Sequence, residues 1–340
     1  MTTTDDAMNR GALVVTRALS EKSRAIVAEE LQGAAEAIYL PDLAQEERAQ
    51  ALAHAAVLLA FNTADELSPS ELPLLKGARL IQFTSAGIDW IPLNDLPPGV
   101  PVASNAGASS EPMAEHVLAM ALAAAKRLFV EHEKLRRGEF NQFTPNRMLL
   151  GGTCGILGFG GVGKATARLA RAFGMRVLAI NKSGESDEPS LKESGGWIGT
   201  LRRLDEMLAA SDLFVVSIAL TPRTVGMIGE RELARMKEDA ILVNVSRGEI
   251  IVEKALYEHL LAHPRFIAGI DAWWVEPVRH RRFEMAYPFL DLPNVIGSPH
   301  NSAGGGVWRE VSLHRAVRNC RRALLGETPL HLLSPGDRMM

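Results

Sequence analysis

The segment Gly158-Phe159-Gly160-Gly161-Val162-Gly163 follows the apolar run beginning at Thr153 and opens an amphipathic stretch from Lys164 to Phe173. A strand, a glycine turn and a helix in that order start a β-α-β unit. One glycine permits the tight turn, one lets backbone approach a pyrophosphate, and one allows the helix to pack closely on the strand. The helix start adds free N–H groups and the positive end of its dipole. These six residues are therefore expected to form a dinucleotide-binding loop, which commits this part of the chain to a parallel α/β sheet.

The surrounding sequence has the matching rhythm. Apolar runs recur at Arg176–Ile180, Leu213–Ile218, Ala240–Asn244 and Phe266–Asp271, joined by helical stretches and ending near Asn294–Ser298. An earlier series, Ala12–Val15, the helix-compatible Ser20–Gly33, Ala55–Phe61 and Leu80–Phe83, reads as a separate α/β layer. Parallel neighbours need crossovers, which are usually helical. Beyond the Pro-rich Pro92–Pro101 and the turn Asn105–Ser110, the spacing predicts one helix from Pro112 to about Arg137, with Ser110 as its N-cap. The polar Ser183–Gly196 reads as a surface loop, and Trp308–Leu325 as a helix long enough to return to the first domain.

Composition excludes several classes. With 340 residues the chain suits two domains, and 37 Lys+Arg against 40 Asp+Glu create no basic field for nucleic acid. Val117–Ala125, the longest apolar stretch of the most hydrophobic region, falls far short of the roughly 20 residues that span a bilayer. Met1–Arg10 is polar and lacks the pattern of a secretory signal, so a cytoplasmic location is expected and no membrane partner. Cys154 and Cys320 make neither a disulfide framework nor a metal cluster, and read as reduced structural thiols.

Further pieces stand in order around the glycine loop: Ser85-Ala-Gly-Ile-Asp89, Ala114-Glu-His116, Leu220-Thr-Pro-Arg-Thr224, Met236-Lys237, Asn244-Val-Ser-Arg-Gly248, Gly269-Ile-Asp271, Glu276-Pro277 and Ser298-Pro-His300. From about Gln82 to His300 the chain thereby resembles the D-isomer-specific 2-hydroxyacid dehydrogenases. The resemblance implies an α/β fold of two Rossmann-like, doubly wound parallel-sheet domains. A dinucleotide-binding domain of residues 106–300 is inserted into a flavodoxin-like substrate domain of residues 1–105 plus 301–340. It also implies an oxidoreductase that transfers a hydride between NAD(P)H and a small 2-oxo acid of the glyoxylate or hydroxypyruvate type, giving the D-2-hydroxy acid, and a homodimer through the cofactor domain. A cofactor-sensing, corepressor-like protein without turnover is the alternative. Formate oxidation is disfavoured, because that branch carries Gln where this chain has Glu276.

Arg247 lies just past the apolar run Ile241–Val243, at the carboxyl end of a strand, where open α/β sheets hold ligands. The resemblance makes it the substrate-gripping arginine, whose fork suits a carboxylate better than a lysine does. By the same resemblance His300 is the acid–base group, Glu276 holds its ring, and Ala86 and Gly87 offer backbone N–H groups to the substrate carboxylate. Ile218, Val245, Ser246 and Asp271 fall at cofactor-contacting positions. Asn181, 23 residues after Gly158, stands where NAD-binding members have an acidic residue. With Lys182 and Ser183 beside it, the expected cofactor is NADP or NAD with NADPH preferred.

The chain also departs from the family pattern. The stretch from Asn105 to Glu115 is one residue shorter than the common form. Val252 stands where Asp is usual, Trp273 where Phe is usual, and Trp274 at a commonly polar position; both tryptophans read as core residues. The basic run Arg279–Arg282 reads as a solvated face.

Overall fold

A computed structural model describes residues 11–304 and 307–334. The segment Met1–Arg10, read above for export signals, lies outside the described residues. The chain divides into two compact units, Met1–Ser109 with Gly305–Met340, and Ser110–Gly304. Both crossings fall four residues beyond the expected positions.

In the first unit, β1 (Ala12–Val15), β2 (Ala37–Tyr39), β3 (Ala55–Ala60), β4 (Leu80–Phe83) and β5 (Val102–Ala103) form a parallel sheet in the order β2-β1-β3-β4-β5. That is the flavodoxin-like order. Every residue of β3 is buried, as a central strand covered on both faces requires. Ser20 caps the Glu21–Leu31 helix, its Oγ accepting from the Ser23 N–H at 3.2 Å. The Val307–Leu324 helix packs on the Glu21–Leu31 helix and on β3. There His314 Nδ1 meets the Glu30 carboxylate at 2.7 Å, and Arg318 donates to both of its oxygens.

The second unit is a seven-stranded parallel sheet among the described residues. Its strands are β6 (Thr153–Leu157), β7 (Arg176–Ile180), β8 (Trp197–Gly199), β9 (Leu213–Val216), β10 (Ile241–Asn244), β11 (Ile267–Ile270) and β12 (Val295–Gly297), in the order β12-β11-β10-β9-β6-β7-β8. The strand order reverses between β6 and β9, which opens a crevice at their carboxyl ends. One face is covered by the Ser110–Ala125 and Gly161–Ala172 helices, through Val117, Ala121 and Ala167. The other packs Met207, Leu256 and Phe289 against Leu157, Phe214 and Leu242.

Three expectations need correction. The stretch expected as one helix is two, Ser110–Ala125 and Leu128–Arg136, separated by Arg127 at φ +56°. The buried stripe ends at Ala125 and the second helix buries no residue, so nothing holds the axis straight. Ser110 is itself the first helical residue rather than the cap. The polar stretch 183–196 contains a helix, Pro189–Glu193, pinned by buried Ser190 and Leu191. Among the described residues no helix is long and apolar enough to cross a membrane. Both cysteines are free and buried, and burial pushes the Cys154 thiol up to about 12 and that of Cys320 upward as well.

Candidate active site

Each residue singled out in the second unit sits just past the carboxyl end of a strand. Gly158 follows β6 and adopts φ +104°, and a Cβ there would lie 2.3 Å from the Ile218 backbone nitrogen. A Cβ on Gly163 would lie 2.4 Å from the Gly158 carbonyl oxygen, so its absence lets the helix approach the strand. At Gly160 a Cβ would meet nothing within 4 Å. The loop is thus closed by two glycines and open at the third, and Gly160 stands as the N-cap of the Gly161–Ala172 helix with no side-chain acceptor over the helix start. A pyrophosphate fits this cradle. Phe159 is buried behind the loop, while Gly161 and Val162 begin the helix. Ser217 Oγ donates to the Gly158 carbonyl at 2.9 Å, and Ser246 Oγ to the Ile218 carbonyl, tying the β9 and β10 ends to it. Val245 is buried and its N–H donates to the Val216 carbonyl at 3.2 Å.

Asn181 follows β7. Its Oδ1 accepts from the Gly184 N–H at 2.6 Å and its Nδ2 donates to the Glu185 carbonyl at 2.8 Å, so the side chain shapes the turn. Lys182 and Ser183 are presented on that turn, both exposed.

Arg247, Glu276 and His300 follow β10, β11 and β12 respectively. His300 Nδ1 lies 2.7 Å from Glu276 Oε2 and 2.9 Å from Oε1. Facing a carboxylate, Nδ1 carries its proton and Nε2 is the ring atom directed away. Glu276 also accepts from the Trp273 N–H at 2.6 Å. Burial acts to raise the Glu276 pKa. The His300 hydrogen bond and charge, the Trp273 N–H and the Arg247 charge outweigh it and leave the carboxyl below its ordinary value. Arg247 donates from Nη1 to the Ser246 carbonyl at 2.7 Å, and its own carbonyl accepts from Asn244 Nδ2 at 2.9 Å.

His300 has φ +49°, an uncommon conformation for a residue with a side chain. Asp271 holds it there. The Asp271 carbonyl accepts from the His300 N–H at 2.9 Å, while its carboxylate accepts from the Asn301 and Ser302 N–H groups and, at 2.6 Å, from Ser298 Oγ. His116 Nε2 lies 2.9 Å from the same Ser298 hydroxyl. The Asp271 carboxylate, expected at a cofactor-contacting position, is fully buried and engaged by the His300 turn. Ser298 and His116 were legible only as parts of the ordered pieces, with no role attached.

The sequence likewise carries no signal for what Gly248 does. A Cβ there would lie 2.4 Å from the Trp273 carbonyl carbon, so a glycine is needed for the Arg247 turn to lie against the Glu276 segment. The two tryptophans pack into the core, Trp273 Nε1 donating to the Ser298 carbonyl at 2.8 Å and Trp274 Nε1 to the Ile251 carbonyl at 2.7 Å. Val252 occupies the N-cap of the Glu253–Ala262 helix and offers it no side-chain acceptor. Ala86 and Gly87 belong to the other unit, in the turn after β4. Trp90 Nε1 donates to the Gly87 carbonyl at 3.1 Å, and the Asn105 N–H to the Ser85 carbonyl at 2.8 Å.

Residues 118–302 match the family model described as D-isomer specific 2-hydroxyacid dehydrogenase, NAD binding domain. The chain belongs to this family. A glyoxylate reductase of Korarchaeum cryptofilum is 32% identical over 262 residues, covering 75% of this chain and 76% of that protein. A hydroxypyruvate reductase of Thermotoga maritima is 30% identical, covering 72% and 78%. Among solved structures, a glyoxylate reductase from Paecilomyes thermophila superposes with a TM-score of 0.74 at 26% identity, covering 95% of this chain and 98% of that one. As a D-2-hydroxyacid dehydrogenase, the chain is an oxidoreductase acting on 2-oxo acids with a nicotinamide cofactor.

Proposed function

We propose that this dehydrogenase reduces a small 2-oxo acid of the glyoxylate or hydroxypyruvate type, with His300 as the acid, Glu276 holding its ring and Arg247 gripping the substrate. The observation that carries the reading is the His300–Glu276 pair at 2.7 Å, at the same edge of the sheet as Arg247 and the glycine cradle. When bound, a reduced nicotinamide supplies the hydride. Gly158–Gly163 hold the pyrophosphate, Ile218, Val245 and Ser246 line the pocket through their backbone, and Asp271 enters through the turn it anchors. The Arg247 guanidinium takes the substrate carboxylate and polarises the neighbouring carbonyl. His300 Nε2–H then donates its proton to the carbonyl oxygen as the carbon is reduced, and neutral imidazole takes it back in the reverse direction. The unit Ser110–Gly304 is the dinucleotide-binding domain in this reading, and the other unit the substrate domain.

NADPH is the preferred cofactor. Asn181 holds the turn without adding the negative charge that would repel a 2′-phosphate, and Lys182 with Ser183 offers a cation and a hydroxyl. A tenfold preference requires only about 1.4 kcal/mol. A panel of 2-oxo acids assayed with NADPH and NADH at matched ionic strength tests both parts. Turnover of glyoxylate or hydroxypyruvate with the higher kcat/KM for NADPH is expected. Failure on every small 2-oxo acid sinks the first part, and equal values or an NADH preference sink the second. Asn181→Asp keeps an acceptor for the Gly184 N–H while adding a charge, so it shifts the ratio toward NADH.

The protein forms a homodimer through the cofactor domain. Phe129, Phe140, Phe143, Met148 and Leu150 are between 62% and 84% exposed within residues 129–150, apolar side chains that a second copy would cover. Sedimentation at micromolar concentration is expected to give the dimer mass, and a monomer alone would contradict it.

A further inference from the structure

The basic run Arg279–Arg282 is more than a solvated face. Arg282 Nε pairs with Glu284 at 2.7 Å, and Arg279 Nη1 pairs with Glu249, two residues past Arg247. We propose that the Arg279–Glu249 ion pair is a positioning strap, which holds the helical turn beginning at Glu276 against the turn carrying Arg247 and so fixes the spacing between the guanidinium and the acid–base pair. This inference rests on the reading that those residues carry the reaction.

The Pro277–His280 helix is a single turn, too short to persist by itself. Within it the His280 N–H donates to the Glu276 carbonyl at 2.8 Å and the Glu276 N–H to His280 Nδ1 at 3.0 Å. These bonds shape the turn but do not place it. Among the contacts that place it are those with residues 247–251. Before Glu276 there are two, the close approach of Gly248 to the Trp273–Trp274 peptide and the bond from Trp274 Nε1 to Ile251. Beyond Glu276, the ion pair secures the other side, so the carboxylate that holds His300 is bracketed. The Arg279 and Glu249 side chains are only 22% and 24% exposed, which sets the pair apart from the solvent-screened ones on the surface. Glu249 Oε2 is buried without a hydrogen-bond partner among the described residues, so losing Arg279 leaves a poorly compensated carboxylate that drives the turn to rearrange.

The test compares Arg279→Ala, Arg279→Lys, Glu249→Gln and the Arg279→Ala/Glu249→Gln double variant in the full chain, with glyoxylate and NADPH. Readouts are kcat, KM and the melting temperature. Displacement of reacting groups is costly, so Arg279→Ala and Glu249→Gln are each expected to lower kcat/KM about tenfold. The double variant is no worse than either alone, and Arg279→Lys recovers most of the loss. As Glu276 loosens from His300, the loss falls on kcat rather than on KM, a split that general destabilisation does not produce. Parental kcat/KM in Arg279→Ala and Glu249→Gln overturns the strap, as do losses that fall on KM alone or that multiply in the double variant. Should Arg279→Ala not fold, Glu249→Gln and Arg279→Lys provide the same comparison. Strap variants that behave as the parent while His300→Gln is inactive overturn the strap alone, whereas near-normal reduction by His300→Gln overturns the reading beneath it.

Discussion

His300→Gln is expected to lower kcat for reduction by about 10²–10⁴-fold, the usual contribution of a placed acid–base group. Glutamine keeps a polar side chain but has no proton to give at neutral pH, so the developing alkoxide must find one from water. Cofactor binding persists, because the glycine cradle lies at the end of β6 and His300 beyond β12. The companion Glu276→Gln separates holding from donating. The carboxylate accepts from the ring at Nδ1, so without its charge the ring is held less firmly and kcat falls while KM for the 2-oxo acid stays near the parent's. Arg247→Ala lowers kcat/KM through both binding and polarisation. Stopped-flow reduction across the pH range, with cofactor affinity from fluorescence, measures these terms. A His300→Gln protein with near-normal kcat removes the assigned acid.

Substitutions in the glycine loop are expected to divide into two kinds. Gly158→Ala places a Cβ 2.3 Å from the Ile218 nitrogen and 2.5 Å from its Cα, against backbone that cannot swing aside, at φ +104°. Strain at a single backbone position and a close clash together cost on the order of 3 kcal/mol, so the melting temperature falls along with cofactor affinity. Gly160→Ala meets no atom within 4 Å and has an ordinary φ of −92°. Its melting temperature stays near the parent's while affinity for the nicotinamide cofactor drops, since the space it fills is where the pyrophosphate would lie. Calorimetry with and without NADPH distinguishes them. An unimpaired affinity in Gly160→Ala would remove the pyrophosphate from that space.

What the sequence showed of this arrangement follows from where information is local. The long strands, the glycine turn and the Trp308–Leu325 helix are written in contiguous apolar runs, and the structure has them nearly in register. The edge strands β2, β5 and β8 are two or three residues long, with no pattern long enough to read. The break at Arg127 depends on what the second helix fails to bury, which periodicity does not report. In the candidate site, Arg247, Glu276 and His300 stand out in the sequence because their flanking residues resemble a family pattern. Gly248 and Asp271 act instead on partners brought together by the sheet, a near-contact with Trp273 and bonds to residues 298–302, and such pairings leave no trace in spacing.

The strand order also divides labour. Asn181 follows β7 and Arg247 follows β10, and two strands, β6 and β9, lie between them. At the spacing of hydrogen-bonded strands that is about 14 Å of sheet, beyond the range at which substitutions usually interfere. In the proposed reading cofactor choice and carbonyl chemistry can therefore drift separately during evolution, and an engineer can recode one end of the sheet without retuning the other.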